Sequence, residues 1–164
     1  MKNLKLGLFL LGFILVATSC KNTVKSPSGY MVKFHKKGGG EKAKIGQFVY
    51  FDFYVKKDSQ MFYASNERGQ KARLQIVDPS KFRSQERPII EALMMMGKGD
   101  SVSIVQRIDT FKTPPQGFAG AKLMTYIVVL KDIVSEEKYM ADLDPQSRQQ
   151  FKLEKELELS LIHI

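Results

Sequence analysis

The sequence predicts an α+β fold: a bent antiparallel β-sheet wrapped around one short α-helix, followed by a polar C-terminal helix. Three observations lead there. Strand-like segments lie both before and after a single short helical segment that opens at Pro88. The clearest strand, residues 47–55, alternates strictly in its side chains. After Ile133 the chain turns charged and helical. The length of 164 residues allows one domain with its own core and hardly two.

The elements follow in order. Residues 1–19 read as a lipoprotein signal peptide. Lys2 and Lys5 precede an apolar run over 6–16 that is too short to span a bilayer comfortably. The run ends in Ala17-Thr18-Ser19-Cys20, which is similar to a bacterial lipobox. The expectation is cleavage before Cys20 and lipidation of its thiol, because the only cysteine of the chain stands where lipidation needs one. Two or more acyl chains hold a protein firmly to a bilayer. By analogy with sorting rules, Lys21 and Asn22 favour a lipid-anchored place in the bacterial cell envelope, on the outer membrane facing the periplasm. Residues 20–29 are polar and read as a tether.

The globular domain is expected over 30–134. Residues 30–35 alternate as an edge strand, broken by Gly38-Gly39-Gly40. In 47–55, Val49, Phe51, Phe53 and Val55 share one face, and Phe48, Tyr50, Asp52 and Tyr54 the other. Asp52 on that polar face is most simply solvated. A turn over 56–60 leads into a return strand over 61–64, and 72–77 forms another strand before Asp78-Pro79. Pro88 suits the first turn of the helix over 88–96; Ile89, Leu93 and Met96 make its stripe, and Gly97 and Gly99 stop it. Strands over 101–108 and 122–133 close the sheet across a long loop holding Pro114, Pro115 and Gly117. Residues 135–158 read as a charged, solvated linker helix: Ser135 opens it, and Asp144-Pro145 supplies a second cap. Its apolar stripe is thin (Phe151, Leu153, Leu157). Residues 159–164 can be spelled by the transposon end sequence of sequencing libraries, so they are expected to be an artefact of a reading frame that ran into adapter, with the protein continuing beyond.

Composition narrows the chemistry. One Cys and two His exclude a disulfide scaffold and a histidine- or cysteine-rich metal centre, so neither metal nor cofactor is expected. The net charge of +9 falls by two when Lys2 and Lys5 leave with the signal. For an exported protein this basic balance fits anionic lipid or acidic client segments better than nucleic acid. No nucleophile elbow, HExxH pair or phosphate loop is present. The aromatics Phe51, Phe53, Phe62, Tyr63, Phe111 and Tyr126 remain, either as a Phe-rich core or as a cup for an apolar side chain.

The order of motifs resembles that of the FKBP-type peptidyl-prolyl cis-trans isomerases. Ala43-Lys-Ile-Gly46-Gln47 before an aromatic strand is similar to their opening GD/GQ-x-V-x-V-x-Y. Phe62-Tyr-Ala-Ser65 is similar to F-D-S-S, and Pro88-Ile-Ile-Glu91-Ala-Leu93 with Met96-Gly-Lys-Gly99-Asp100 to G-W-E-E-A-L…M-x-x-G-E. Residues 122–133 resemble the closing strand. The resemblance implies an FKBP-like sheet around a short helix, and a pocket formed by Phe53, Phe62, Phe111 and Tyr126. Two further pocket positions depart from the family: Tyr63 replaces its Asp, and Ile89 replaces the Trp that floors the pocket. The loop motif P-x-x-Y-A-Y-G is reduced to Ile108-Asp-Thr-Phe111-Lys112. The implied function is an envelope-anchored prolyl isomerase and folding helper, weak in activity, acting on proline-containing exported polypeptides. The alternative is a degenerate FKBP-like domain for binding, dimerisation or spacing in a longer lipoprotein, with a second such domain downstream. Outward-facing Phe48, Tyr50 and Tyr54 favour the alternative as an interface stripe, unless the chain's own termini cover them.

Overall fold

A computed structural model describes residues 22–68, 72–81 and 87–162. The signal peptide and Cys20 lie outside them, as do residues 163–164. The described strands form one antiparallel sheet. From one edge it runs β1 (Thr23–Lys25), β2 (Met31–Lys36), β6 (Ser101–Arg107), β7 (Leu123–Val134), β3 (Phe48–Lys57) and β4 (Gln60–Ala64). The first half of β3 pairs with β5 (Ala72–Gln75) and the second half with β4. β3 and β7 are the long central pair, from Phe48↔Val134 to Lys57↔Met124. This is the expected α+β arrangement of an antiparallel sheet and a short helix.

The inner face follows the period-2 pattern. Val32, Val49, Val102, Ile104, Val128 and Leu130 are fully buried there. Helix α1 (Arg87–Met95) packs on β6 and β7 and completes this core. The expected stripe is displaced by one residue at its start. Ile90, Leu93 and Met96 go deepest, while Ile89 is half-buried. Past α1 the chain is held tightly. A Cβ on Gly97 would fall 2.3 Å from the carbonyl oxygen of Gly40, so only glycine lets the two loops meet. The buried Asp100 carboxylate accepts from the amides of Gly38 (2.5 Å) and Gly97 (2.9 Å). The triple glycine is therefore a docked loop.

Residues 22–29, read as tether, lie on the domain. β1 pairs with β2 through Thr23↔Lys33, Val24↔Val32 and Lys25↔Met31. The following turn is fastened by Glu91 of α1, whose buried carboxylate accepts from the Ser26 hydroxyl (2.5 Å), the Ser28 amide (3.0 Å) and the Ser28 hydroxyl (2.5 Å). Burial alone would raise the Glu91 pKa; these hydrogen bonds, with Arg87 nearby, outweigh it and hold the group below its usual value.

The outer face is covered at one end. Helices α2 (Glu136–Ala141) and α3 (Pro145–Ile162) follow β7 directly. Ser135 caps α2 through the Lys138 amide, and Asp144 caps α3 through the Ser147 amide at 3.0 Å. They fold back on the sheet: Tyr139 stacks on Phe48 at 4.0 Å, and Phe151 meets Phe48 edge-on at 5.7 Å. Phe48 is 1% exposed as a result, and Leu143 is buried. Burying a ring of this size contributes roughly 2–3 kcal/mol. The segment expected to be solvated thus supplies the cover for Phe48, the first ring of the outward aromatic stripe. Asp52, also expected to be solvated, pairs with Lys131 at 2.7 Å.

Candidate functional site

A three-ring cluster stands on the inner face where β7, β3 and β4 meet. Val55 of β3 is opposite Tyr63 of β4 on one side and Tyr126 of β7 on the other. Phe53, two residues back along the same face, is the diagonal neighbour of both tyrosines. Its ring stacks on Tyr126 at 5.9 Å and 19°, and meets Tyr63 at 6.1 Å and 50°. Phe51 closes the inner side, edge-on to Phe53 at 6.4 Å. The Phe53 amide donates to the buried Ser65 hydroxyl at 2.9 Å, which anchors the strand just behind the cluster.

The cluster is graded in depth. Tyr126 is buried, whereas Phe53 and Tyr63 are half-buried. Burial, reinforced by Tyr30, pushes the Tyr126 phenol up to about 12, so it is neutral throughout the physiological range. Ile89 of α1 and Phe111 of the long loop are both half-buried against the same core.

Phe62 is placed differently. The β3–β4 ladder passes from Val55↔Tyr63 to Lys56↔Met61, so Phe62 is the extra residue of a β-bulge. Its ring is 50% exposed and packs on Phe118 at 4.6 Å. Gly117 lies so close that a Cβ there would come 2.6 Å from Phe62 Cζ. The same hairpin holds the loop by its polar groups. Lys57 Nζ donates to the Gly117 carbonyl at 2.9 Å, and Asp58 accepts from the Lys122 and Leu123 amides at 3.0 and 2.9 Å. The structure therefore brings Phe53, Tyr63 and Tyr126 into ring contact, sets Ile89 and Phe111 on their common core, and gives Phe62 to the loop. Ser65 and Phe118 were not singled out for these roles. The bulge that re-aims Phe62 leaves no mark in the residue pattern.

Chemically, the arrangement offers a neutral aromatic wall. It can take up an apolar ring or side chain by dispersion and exclusion of water.

No protein-family model matches the chain, and no curated protein matches its sequence. Solved structures do. FkpA from Escherichia coli is 20% identical with a TM-score of 0.50, over 81% of this chain and 59% of that one. A multi-domain immunophilin from Arabidopsis thaliana is 13% identical with a TM-score of 0.51, over 63% of this chain and 42% of that one. The N-terminal domain of FKBP42 from the same plant is 11% identical with a TM-score of 0.54, over 74% of this chain and 98% of that one. The chain spans little more than half of FkpA and less than half of the immunophilin. At these identities the likeness concerns the fold, and it is plain: this chain has an FKBP-like fold.

Proposed function

We propose that the domain is a prolyl isomerase of modest power, a folding helper for exported, proline-containing polypeptides, held to the cell envelope through lipidated Cys20. The observation that carries the reading is the Phe53–Tyr63–Tyr126 cluster within an FKBP-like fold. Such catalysis needs no nucleophile. The barrier of roughly 18–20 kcal/mol is amide resonance lost on twisting. A dry aromatic wall that grips the proline ring favours the twisted, less polar amide over the planar one. The wall here has Tyr63 and Ile89 where the resemblance leads one to expect a carboxylate and an indole, which narrows the grip and lowers the rate.

The test is a proline-isomerisation assay with a trans-specific readout on the mature chain. A rate above background that drops in Phe53→Ala and in Tyr126→Ala supports the reading. No rate from a folded chain assigns the domain to a second reading, a polypeptide-binding or spacing module of a longer lipoprotein. Ile89 favours that second reading, because a branched aliphatic side chain gives a proline ring less flat surface than an indole.

A further inference from the structure

The edge of the sheet nearest the N-terminus is strongly cationic. Lys25, Lys33, Lys36, Lys37 and Lys42 belong to β1, β2 and the start of the loop after them, with Glu41 the one acid among residues 23–42. All five are exposed, and among the described residues none pairs with a carboxylate. Apolar side chains are interspersed: Val24 is 43% exposed and Met31 48%. The strand pairing makes this surface rigid, because β1 is laddered to β2 and the turn between them is fastened to Glu91. The Gly38–Gly40 loop is likewise fixed through Asp100.

Distance gives this surface its meaning. β1 starts at Thr23, only three residue steps after Cys20, a reach of at most about 10 Å. The screening length at physiological ionic strength is about 8 Å. A domain tied by Cys20 to a bilayer thus keeps the start of β1, and the Lys33 that pairs with Thr23, within roughly one screening length of the headgroups. We infer that this lysine edge is a docking surface for an anionic bilayer, the one in which Cys20 is anchored, and that it holds the domain in one orientation on that membrane. The inference rests on the lipid-anchor reading of Cys20. Docking by the β1–β2 edge leaves β3 and β4, on the far side of the sheet, and the aromatic cluster they carry free to meet a polypeptide.

The test uses the mature chain in vesicles. After Cys20 is acylated, a cysteine introduced as Met31→Cys is the only thiol, and it takes an environment-sensitive dye; Gln60→Cys on the far-edge strand β4 serves as the control. On vesicles of phosphatidylcholine with phosphatidylglycerol at about a third of the lipid, a composition set by the charge argument, the Met31 label shifts to an apolar signal and the Gln60 label does not. Pure phosphatidylcholine gives neither shift, and high salt abolishes the first. Each of Lys33→Gln, Lys36→Gln and Lys37→Gln lowers the docked-to-free ratio about fivefold, and the corresponding Arg variants keep it. Equal signals on neutral and anionic vesicles, or none on either, overturn the proposal; a shift produced by an acidic peptide alone overturns it in favour of a protein partner. Mass spectrometry of the N-terminal peptide reports acylation separately. If Cys20 is unmodified the anchor reading falls, and the surface is still judged by the difference between neutral and anionic vesicles.

Discussion

Strand β3 presents aromatic side chains to both of its faces, and the two sets end in different surroundings. On the inner face Phe53 meets Tyr63 and Tyr126 and stays half-buried. On the outer face Phe48 meets Tyr139 and Phe151, is closed over by two helices and keeps 1% of its surface. Tyr50 beside it donates to Asp142 at 2.9 Å and faces Tyr139, over whose ring the Arg73 guanidinium lies at 5.7 Å. Ring chemistry is therefore a poor guide to role. What separates the two clusters is whether another element of the same chain completes the packing. The outer rings hold the C-terminal helices to the sheet, whereas the inner rings Phe53 and Tyr63 stay half-buried.

The largest test of this contrast is Phe48→Ala. Removing a fully buried ring should cost about 3–5 kcal/mol and release α2 and α3 from the sheet. Chemical denaturation with a helix-sensitive signal reads both effects, and a cost below about 0.5 kcal/mol, the usual size of a change at an exposed site, would place these helices outside the cooperative unit. A smaller effect, of another kind, is expected from Phe53→Ala. The half-buried ring makes a lesser contribution to stability, but the isomerisation rate should fall about tenfold, equivalent to roughly 1.4 kcal/mol of lost transition-state stabilisation. If Phe48→Ala and Phe53→Ala lower rate and stability in the same proportion, the distinction between a structural and a functional cluster is wrong.

Much of this was legible beforehand, for identifiable reasons. Period-2 alternation placed Val49, Phe51, Phe53 and Val55 on one face, because only one pleat direction buries them together. The caps at Ser135 and Asp144 and the proline at the start of α1 were readable from local backbone chemistry. Long-range choices were not. Whether Phe48 ends covered depends on Tyr139 and Phe151 returning across the sheet, and a thin stripe in a charged helix gives no sign of that. The fastening of residues 22–29 depends on Glu91, which lies 65 positions from Ser26. At the candidate site the family resemblance implied Phe53, Phe62, Tyr63 and Tyr126; that the Phe62 ring packs on Phe118 follows from a bulge, which shifts register without altering the residue pattern.

A third test separates the outer cluster's rings from its polar fastening. Tyr50→Phe keeps the ring and removes the hydrogen bond to Asp142, an expected loss of about 1 kcal/mol. Isomerisation should be unchanged. A rate that falls with this variant would couple the outer cluster to the inner one through β3, and the two faces would no longer be independent.

The finest comparison is between two tyrosines that titrate alike for partly different reasons. Tyr50 and Tyr126 are both pushed up to about 12, in each case chiefly by burial. For Tyr50 the hydrogen bond to Asp142 and the charge of that carboxylate come next; for Tyr126 the second contribution is Tyr30. A folded-state pKa above the unfolded value means that the native state favours the protonated phenol. The stability tied to it is complete below about pH 10 and is lost as pH rises towards 12. Asp142→Asn removes the nearby negative charge, so Tyr50 should ionise at lower pH while Tyr126 keeps its place. Phenolate absorbance, followed in the parent chain and in the variant with Tyr50→Phe to assign the signal, resolves the two. If both tyrosines shift together, the C-terminal helices also control the burial of the inner cluster, and the cover on the outer face becomes part of how the candidate site is shaped.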